Sequence, residues 1–179
     1  LLVFFFLAII LLTYLIIYVP KFDYIQGRIL SFFDRETGTH NFQSDKAIDS
    51  ITSGGFFGKG IGEGILKNRV PEAHTDYIIS VISEEFGVVA IMLILLLFLI
   101  FIYMVFKKIS FETDDKTKLI LIGSISLILM QATIHIGVNI RLFPTTGMTL
   151  PFLSYGGSSI ISTSILAGII LNLTKRKIN

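Results

Sequence analysis

Residues 86–106 read FGVVAIMLILLLFLIFIYMVF and decide the fold, because they carry no charged side chain over a length that can cross a membrane. About 20 helical residues span the roughly 30 Å hydrocarbon core of a bilayer. Residues 1–19 and 119–140 form two further uncharged runs of similar length. The sequence therefore predicts at least three transmembrane helices.

A fourth uncharged run, residues 142–174, contains two prolines and three glycines in its first half. Because proline and glycine interrupt helices, we predict a re-entrant loop over 141–157 and a last span over 158–173. The expected fold is an all-α polytopic membrane protein with one membrane domain and about four spans. The predicted segments are spans at 1–19, 77–106, 119–140 and 158–173, a large loop at 20–75 and a short loop at 107–118.

The composition of the 179-residue chain agrees with a membrane protein, since 53% of its residues are hydrophobic and only 16% are charged. Soluble domains carry about 25% charged residues. The net charge of +2 is too small to indicate a nucleic-acid partner, and the lack of cysteine excludes a disulfide scaffold. Residue 1 is not methionine and no signal-peptide layout follows it, so we expect the C-terminal part of a larger protein or a truncated product.

The distribution of lysine and arginine predicts the orientation. Residues 107–118 hold four lysines and the tail 175–177 holds three basic residues, whereas the short loop after the third span holds only Arg141. Short basic loops stay on the cytoplasmic side, while long loops translocate largely regardless of their charge. The large loop and the re-entrant loop are therefore predicted to face outward.

The large loop contains a glycine-rich stretch, SGGFFGKGIGEG, at residues 53–64. It matches neither the dinucleotide-binding nor the Walker pattern. A tight turn that needs glycines with positive φ is the favoured interpretation. The alternative is direct substrate contact, in which backbone amides and Lys59 would bind an anion.

The segment PEAHTD, residues 71–76, leads into the second span. Thr75 is a suitable N-cap, with Asp76 in the first turn. Ser80, Ser83 and Gly87 would then share a helix face with Asp76. A carboxylate at membrane depth indicates a functional cavity; alternatively, Asp76 only caps the helix and pairs with Lys59 or Arg69.

The re-entrant loop, residues 144–159, reads PTTGMTLPFLSYGGSS. Such non-helical backbone is tolerated at membrane depth only where protein or a wet cavity covers it. In the third span, Ser124, Gln131 and His135 share a face. A polar seam that packs against other segments is the favoured interpretation of this face, and a proton or ligand pathway is the alternative.

These segments, in this order, resemble the SEDS family (shape, elongation, division and sporulation proteins) of bacterial membrane proteins, and residues 71–76 and 144–147 are closest to its division-type members. The matching residues are Gln43, Ser44, Ala47, Ile48, 53–62, 71–76, 84–87 and 144–159. The family fold has about ten spans, of which the four predicted here would form the C-terminal part.

The resemblance implies a peptidoglycan glycosyltransferase that polymerises lipid II at the outer face of the cytoplasmic membrane, at the division septum. It places the essential acid at Asp76. Implied partners are lipid II, membrane lipid, a class B penicillin-binding transpeptidase and divisome proteins. It also implies support by a divalent cation, Mg²⁺ or Mn²⁺, for which the sequence shows no dedicated ligand cluster.

This chemistry fits the residues, because Asp76 could act as general base toward a sugar hydroxyl while Lys59, Lys67 and Arg69 stabilise a departing pyrophosphate. The further predicted substrate-binding residues are Glu72, His74, Ser80, Glu84, Ser154, Tyr155 and Ser158. Two alternatives remain: a lipid II flippase, and a non-catalytic divisome scaffold or remnant.

The chain also departs from the usual family pattern. It has His135 in place of asparagine and Arg141 in place of glycine. The other departures are Arg35, Phe143 and Thr146.

Overall fold

The computed structural model describes residues 2–19, 23–33, 39–70 and 73–175, and these residues contain helices but no strand. The helices, in chain order, are α1 (Leu2–Tyr18), α2 (Asp23–Phe33), α3 (Thr39–Gly54), α4 (Leu66–Arg69), α5 (Ile78–Phe111), α6 (Asp115–Asn139) and α7 (Gly157–Thr174). Helices α5, α6 and α7 are long and apolar enough to cross a membrane, and α1 is a shorter apolar helix. The all-helical fold class predicted from the sequence is confirmed, and the protein is a multi-pass membrane protein.

The three long helices pack together around a core that each of them supplies. Leu121, Ile125 and Ile128 of α6 are fully buried against Val105 of α5 and Ile170 of α7. Close packing of this kind holds spans together in a bilayer, where lipid is as apolar as leucine. Among the described helices, α1 contacts only α2.

A second core joins α3 and α4 to the first turns of α5. Tyr77, just before α5, is buried with Ala47 of α3, Leu66 of α4 and Val138 of α6. Burial of these side chains fixes the large loop on the end of the bundle that the sequence predicts to be the outer one. This packing brings the glycine-rich stretch beside α5.

Helix α5 is interrupted at Gly87, where φ is 79° and ψ is −176°. The glycine-rich stretch supplies the hydrogen bonds that the interruption removes: the Lys59 amide donates to the Glu84 carbonyl (2.8 Å) and the Val88 amide donates to the Gly55 carbonyl (2.9 Å). A Cβ on Gly87 would collide with the carbonyl of Phe56. The span predicted over 77–106 lies within α5 and is kinked at Gly87, because a loop backbone inserts there.

The start of α5 also differs from the prediction. The helix begins at Ile78 after Tyr77, whose side chain makes no capping hydrogen bond, and residues 73–77 form turns. The predicted N-cap at Thr75 is wrong. The carbonyls of the preceding residues bind distant segments instead, which holds their backbone out of the helix.

Candidate functional site

Two consecutive carbonyls of the His-Thr-Asp segment accept hydrogen bonds from the re-entrant loop. The Tyr155 amide donates to the His74 carbonyl (3.1 Å), and the Ser154 hydroxyl donates to the Thr75 carbonyl (2.7 Å). Ser154 is buried and its hydroxyl also accepts from the Leu150 amide (2.8 Å). The structure thus joins two segments that are remote in sequence and that both carry predicted site residues.

The third carbonyl of the segment, that of Asp76, binds the end of α6. It accepts a hydrogen bond from Nδ2 of Asn139 (2.9 Å), which also donates to the His135 carbonyl (2.9 Å). The Oδ1 atom of the same Asn139 accepts from the Ser80 hydroxyl (2.7 Å). Asn139 is fully buried, so the main chain at Asp76 is held rigidly on both α5 and α6.

Asp76 is half-buried, and its carboxylate faces the re-entrant loop at Gly147. A Cβ on Gly147 would lie 3.7 Å from Oδ2 of Asp76, and Gly147 has a φ of +71° that favours glycine. Arg28 of α2 donates from Nη1 to the carbonyl of Thr145 (2.7 Å), two residues earlier. This arginine brings a positive charge to the edge of the site.

The side chain of Tyr77, the residue after Asp76, packs against α3. Its side chain is buried, and its hydroxyl lies 3.5 Å from the Ser44 hydroxyl. Burial raises the pKa of the Tyr77 hydroxyl, the nearby Asp76 charge raises it further, and the hydrogen bond with Ser44 opposes this. Tyr77 therefore stays neutral beside the carboxylate.

Polar side chains on α6 hold the re-entrant loop in place. Nδ1 of His135 lies 2.8 Å from the Met148 carbonyl. Nε2 of Gln131 donates to the Thr149 carbonyl (2.9 Å) and to the Ser159 hydroxyl (3.0 Å). These contacts support the polar-seam interpretation of this face, because they provide hydrogen-bond partners for the non-helical backbone of the re-entrant loop at membrane depth.

A second polar cluster surrounds Glu84, whose side chain is only 3% exposed. Its carboxylate forms an ion pair with Lys59 (2.9 Å) and accepts a hydrogen bond from the Leu66 amide (3.0 Å). Together with Arg69 and residues of α3, it lines a cleft of about 170 Å³. Lys59 and Arg69 therefore line one cleft, whose lining does not include the residues that hold the backbone at Asp76.

The glycine-rich stretch forms the tight turn that was the favoured interpretation. Gly55, Gly58, Gly60 and Gly62 all have positive φ. The amides of residues 58–60 donate to backbone carbonyls of residues 54, 84 and 85. An anion would have to displace these hydrogen bonds in order to bind the amides.

The remaining predicted site residues differ in how the structure places them. Ser80 is fully buried on Asn139, so a substrate would have to displace that contact to reach it. Ser158 is exposed at the start of α7 and, with Gly147 and Gln131, lines a groove of about 310 Å³. Glu72 lies outside the described residues, as does the side chain of Lys67.

The structure adds two residues that the sequence did not single out, Arg28 and Asn139. Asn139 could have been found from its position one turn beyond His135 on the polar face of α6. Arg28 carried no such signal, because it lies in the long loop, far in sequence from Thr145. Among the described residues, no group of three or more acidic, histidine or cysteine side chains could hold a metal ion.

The fold and the site together define a multi-pass membrane protein whose re-entrant loop and His-Thr-Asp segment meet at one end of the bundle. The whole chain, residues 1–179, matches the family model described as Cell cycle protein, FTSW_RODA_SPOVE. The chain belongs to this family, the SEDS family that the sequence motifs resemble.

Curated relatives and a solved structure agree with this assignment. The chain is 37% identical over 158 residues to the "Probable peptidoglycan glycosyltransferase FtsW" of Caulobacter vibrioides, covering 87% of this chain and 40% of the relative. It is 34% identical over 181 residues to the protein of the same name from Enterococcus hirae, covering 96% and 46%. The chain thus spans less than half the length of these relatives, in their C-terminal portion.

The fold is also similar to that of a chain in a solved structure described as "Structural coordination of polymerization and crosslinking by a peptidoglycan synthase complex". The TM-score is 0.70 at 27% identity, over 97% of this chain and 47% of the other.

Proposed function

We propose that this chain carries the catalytic carboxylate of a peptidoglycan glycosyltransferase that polymerises lipid II during septal wall synthesis. The observation that carries the proposal is the fixation of residues 74–76, whose three consecutive carbonyls bind Tyr155, Ser154 and Asn139. Catalysis by a side chain requires that its position be fixed relative to the reacting atoms. Here the backbone is fixed while Asp76 is only half-buried.

In the proposed reaction, Asp76 acts as general base. It accepts the proton of an acceptor sugar hydroxyl as that oxygen attacks the anomeric carbon of the donor. The bond from the anomeric carbon to the pyrophosphate oxygen breaks, and its electron pair leaves with undecaprenyl pyrophosphate. A single displacement of this kind inverts the anomeric configuration.

The leaving pyrophosphate needs positive charge. Arg69 is exposed and lines the polar cleft, and Lys59 lines it while paired with Glu84. Arg69 is proposed to stabilise the diphosphate, while Lys59 is held by Glu84. The described residues do not assemble a metal-ligand set, so no step is assigned to a divalent cation.

The proposed setting is the bacterial cytoplasmic membrane at the division septum, with the site on the outer face. The proposed partners are lipid II, membrane lipid, a class B penicillin-binding transpeptidase and divisome proteins. The likeness to a chain of a peptidoglycan synthase complex supports a transpeptidase partner.

The test is lipid II polymerisation in liposomes by the wild-type chain and by Asp76→Asn, each with and without a class B transpeptidase. Asparagine keeps the shape but cannot accept the proton, so a loss of at least about 100-fold is expected. Insertion and thermal stability should match the wild type. Equal polymerisation by both proteins, or transport of lipid II across the bilayer without any polymer, would contradict the proposal.

A further inference from the structure

An apolar groove lies on α5 beside the re-entrant loop. It has a volume of about 410 Å³ and is lined by Ile94, Leu97, Phe98 and Phe101 of α5 and by residues 151–153. None of these side chains is polar, and Leu97 and Phe152 are 58% and 49% exposed. A cavity of this size and character is suited to an apolar ligand.

The groove lies at the depth of the hydrocarbon core. Its α5 residues follow the Gly87 interruption by seven to fourteen positions, which places them about 10–20 Å along the helix from that point. They belong to the uncharged run 86–106. A ligand in the groove must therefore be apolar, as a lipid chain is, since water-soluble groups are excluded from this depth.

The wall of the groove continues directly into the candidate active site. Leu153 is followed by Ser154 and Tyr155, which bind the carbonyls of Thr75 and His74. Phe98, on the other wall, also packs against the buried cluster that contains Ile79 and Leu150. The apolar groove and the segment that carries Asp76 are thus parts of one packed unit.

Phe152 gives a further reason to assign a function to the groove. Its φ of 67° lies in the left-handed region, which a bulky side chain disfavours. Strained residues persist where the surrounding structure holds them, and they are concentrated at binding and active sites. Here the unusual backbone turns a large apolar side chain into the groove instead of into the protein core.

We propose that this groove binds the polyprenyl chain of the lipid-linked sugar, next to its diphosphate. This inference rests on the proposed function, which requires a substrate whose sugars reach the outer face while its tail stays in the bilayer. The groove is short, so it takes the first isoprene units and leaves the rest of the chain in lipid. Binding there directs the diphosphate and its sugar toward the end of the bundle where Asp76 lies.

The test is photo-crosslinking in nanodiscs with a polyprenyl diphosphate that carries a diazirine near its head, followed by peptide mapping. Labels should concentrate on residues 94–101 and 151–153. Undecaprenyl diphosphate should compete for labelling, and phosphatidylglycerol at the same concentration should not. Uniform labelling of the lipid-facing helices, or equal competition by both lipids, would overturn the proposal.

Two tryptophan variants provide a matched control. Leu97→Trp fills the groove and should reduce labelling by about tenfold, whereas Leu96→Trp, on an adjacent face that is 52% exposed, should leave it unchanged. Both positions are exposed, so neither variant disturbs the core. Equal labelling of both variants, as expected if another helix occupies the groove, would also overturn the proposal.

The outcome is separable from that of the proposed function, because cross-linking requires no reaction. Asp76→Asn should be labelled like the wild type. Labelling of the groove in a protein that polymerises equally well without Asp76 would refute the catalytic proposal and leave the groove standing. Catalysis that depends on Asp76, without labelling of the groove, would refute the groove proposal and leave the catalytic proposal standing.

Discussion

Two polar regions of this protein look similar in sequence and are built in opposite ways. Around Glu84, a buried carboxylate and Lys59 pair with each other and hold a loop. Around Asp76, the backbone carbonyls are bound by Ser154, Tyr155 and Asn139, and Asp76 itself is half-buried. The comparison teaches that the charged groups of the first region stabilise structure, whereas the structure of the second positions a charged group.

The largest expected effect comes from moving the Asp76 carboxylate without removing it. Asp76→Glu keeps the charge and adds one methylene, which displaces the carboxylate by more than 1 Å. Since misplacement by about 1 Å can cost about 100-fold in rate, we expect such a loss in lipid II polymerisation. Thermal stability should stay the same. Retention of most activity would break the comparison, because it would show that fixation of residues 74–76 does not matter.

Much of this arrangement follows from sequence, but the decisive contacts do not. Charge-free runs indicated the spans, and the motifs at 71–76 and 144–159 indicated which loops carry site residues. The interruption at Gly87 was missed, since a single glycine in an apolar run does not reveal the loop backbone that binds there. The Thr75 cap was wrong because the Ser154 hydroxyl binds the Thr75 carbonyl from 79 residues away.

The close contact between Gly87 and the glycine-rich stretch is expected to contribute most to the stability of the Glu84 region. Gly87→Ala would place a Cβ against the carbonyl of Phe56 at a φ of +79°. This backbone conformation, which essentially only glycine adopts, and the overpacking together should cost about 2–6 kcal/mol, measured as the free energy of unfolding in detergent. Gly123→Ala is the control, because its Cβ meets nothing within 4 Å in helix α6; it should stabilise by up to about 1 kcal/mol.

Substitutions in the Lys59–Glu84 ion pair test whether these charges are structural or catalytic. Lys59→Met leaves a carboxylate that is 3% exposed without its cation, and we expect a cost of about 2 kcal/mol, reduced by the partial exposure of Lys59. Glu84→Gln should cost less, because its amide oxygen can still accept from Leu66. Polymerisation by Glu84→Gln should fall far less than in Asp76→Asn. A loss as large as that of Asp76→Asn would place Glu84 in the reaction.

A smaller effect on stability is expected from the link between the re-entrant loop and the His-Thr-Asp segment. Ser154→Ala removes the hydrogen bond to the Thr75 carbonyl and leaves the buried Leu150 amide unpaired. The free energy of unfolding should fall by about 1–3 kcal/mol. Polymerisation should fall further than stability predicts, because Asp76 loses an anchor. Ser110→Ala is the control, since its exposed hydroxyl donates to the Phe106 carbonyl of its own helix, far from the site. Equal activity of the two variants would show that Ser154 does not position Asp76.

The smallest expected effect lies where the two regions are tied together. Arg141 adopts a φ of 61° and pairs with Asp45 of α3, between Ser44, which contacts Tyr77, and Lys46, which lines the cleft. Arg141→Gly should gain about 1–2 kcal/mol by relieving the left-handed strain and lose up to about 1 kcal/mol with the ion pair. The free energy of unfolding should therefore rise slightly or stay level, while Arg141→Ala, which keeps the strain, should be destabilised. A strong loss in Arg141→Gly would show that the ion pair, and with it the docking of α3, couples the two regions more tightly than their separate contacts indicate.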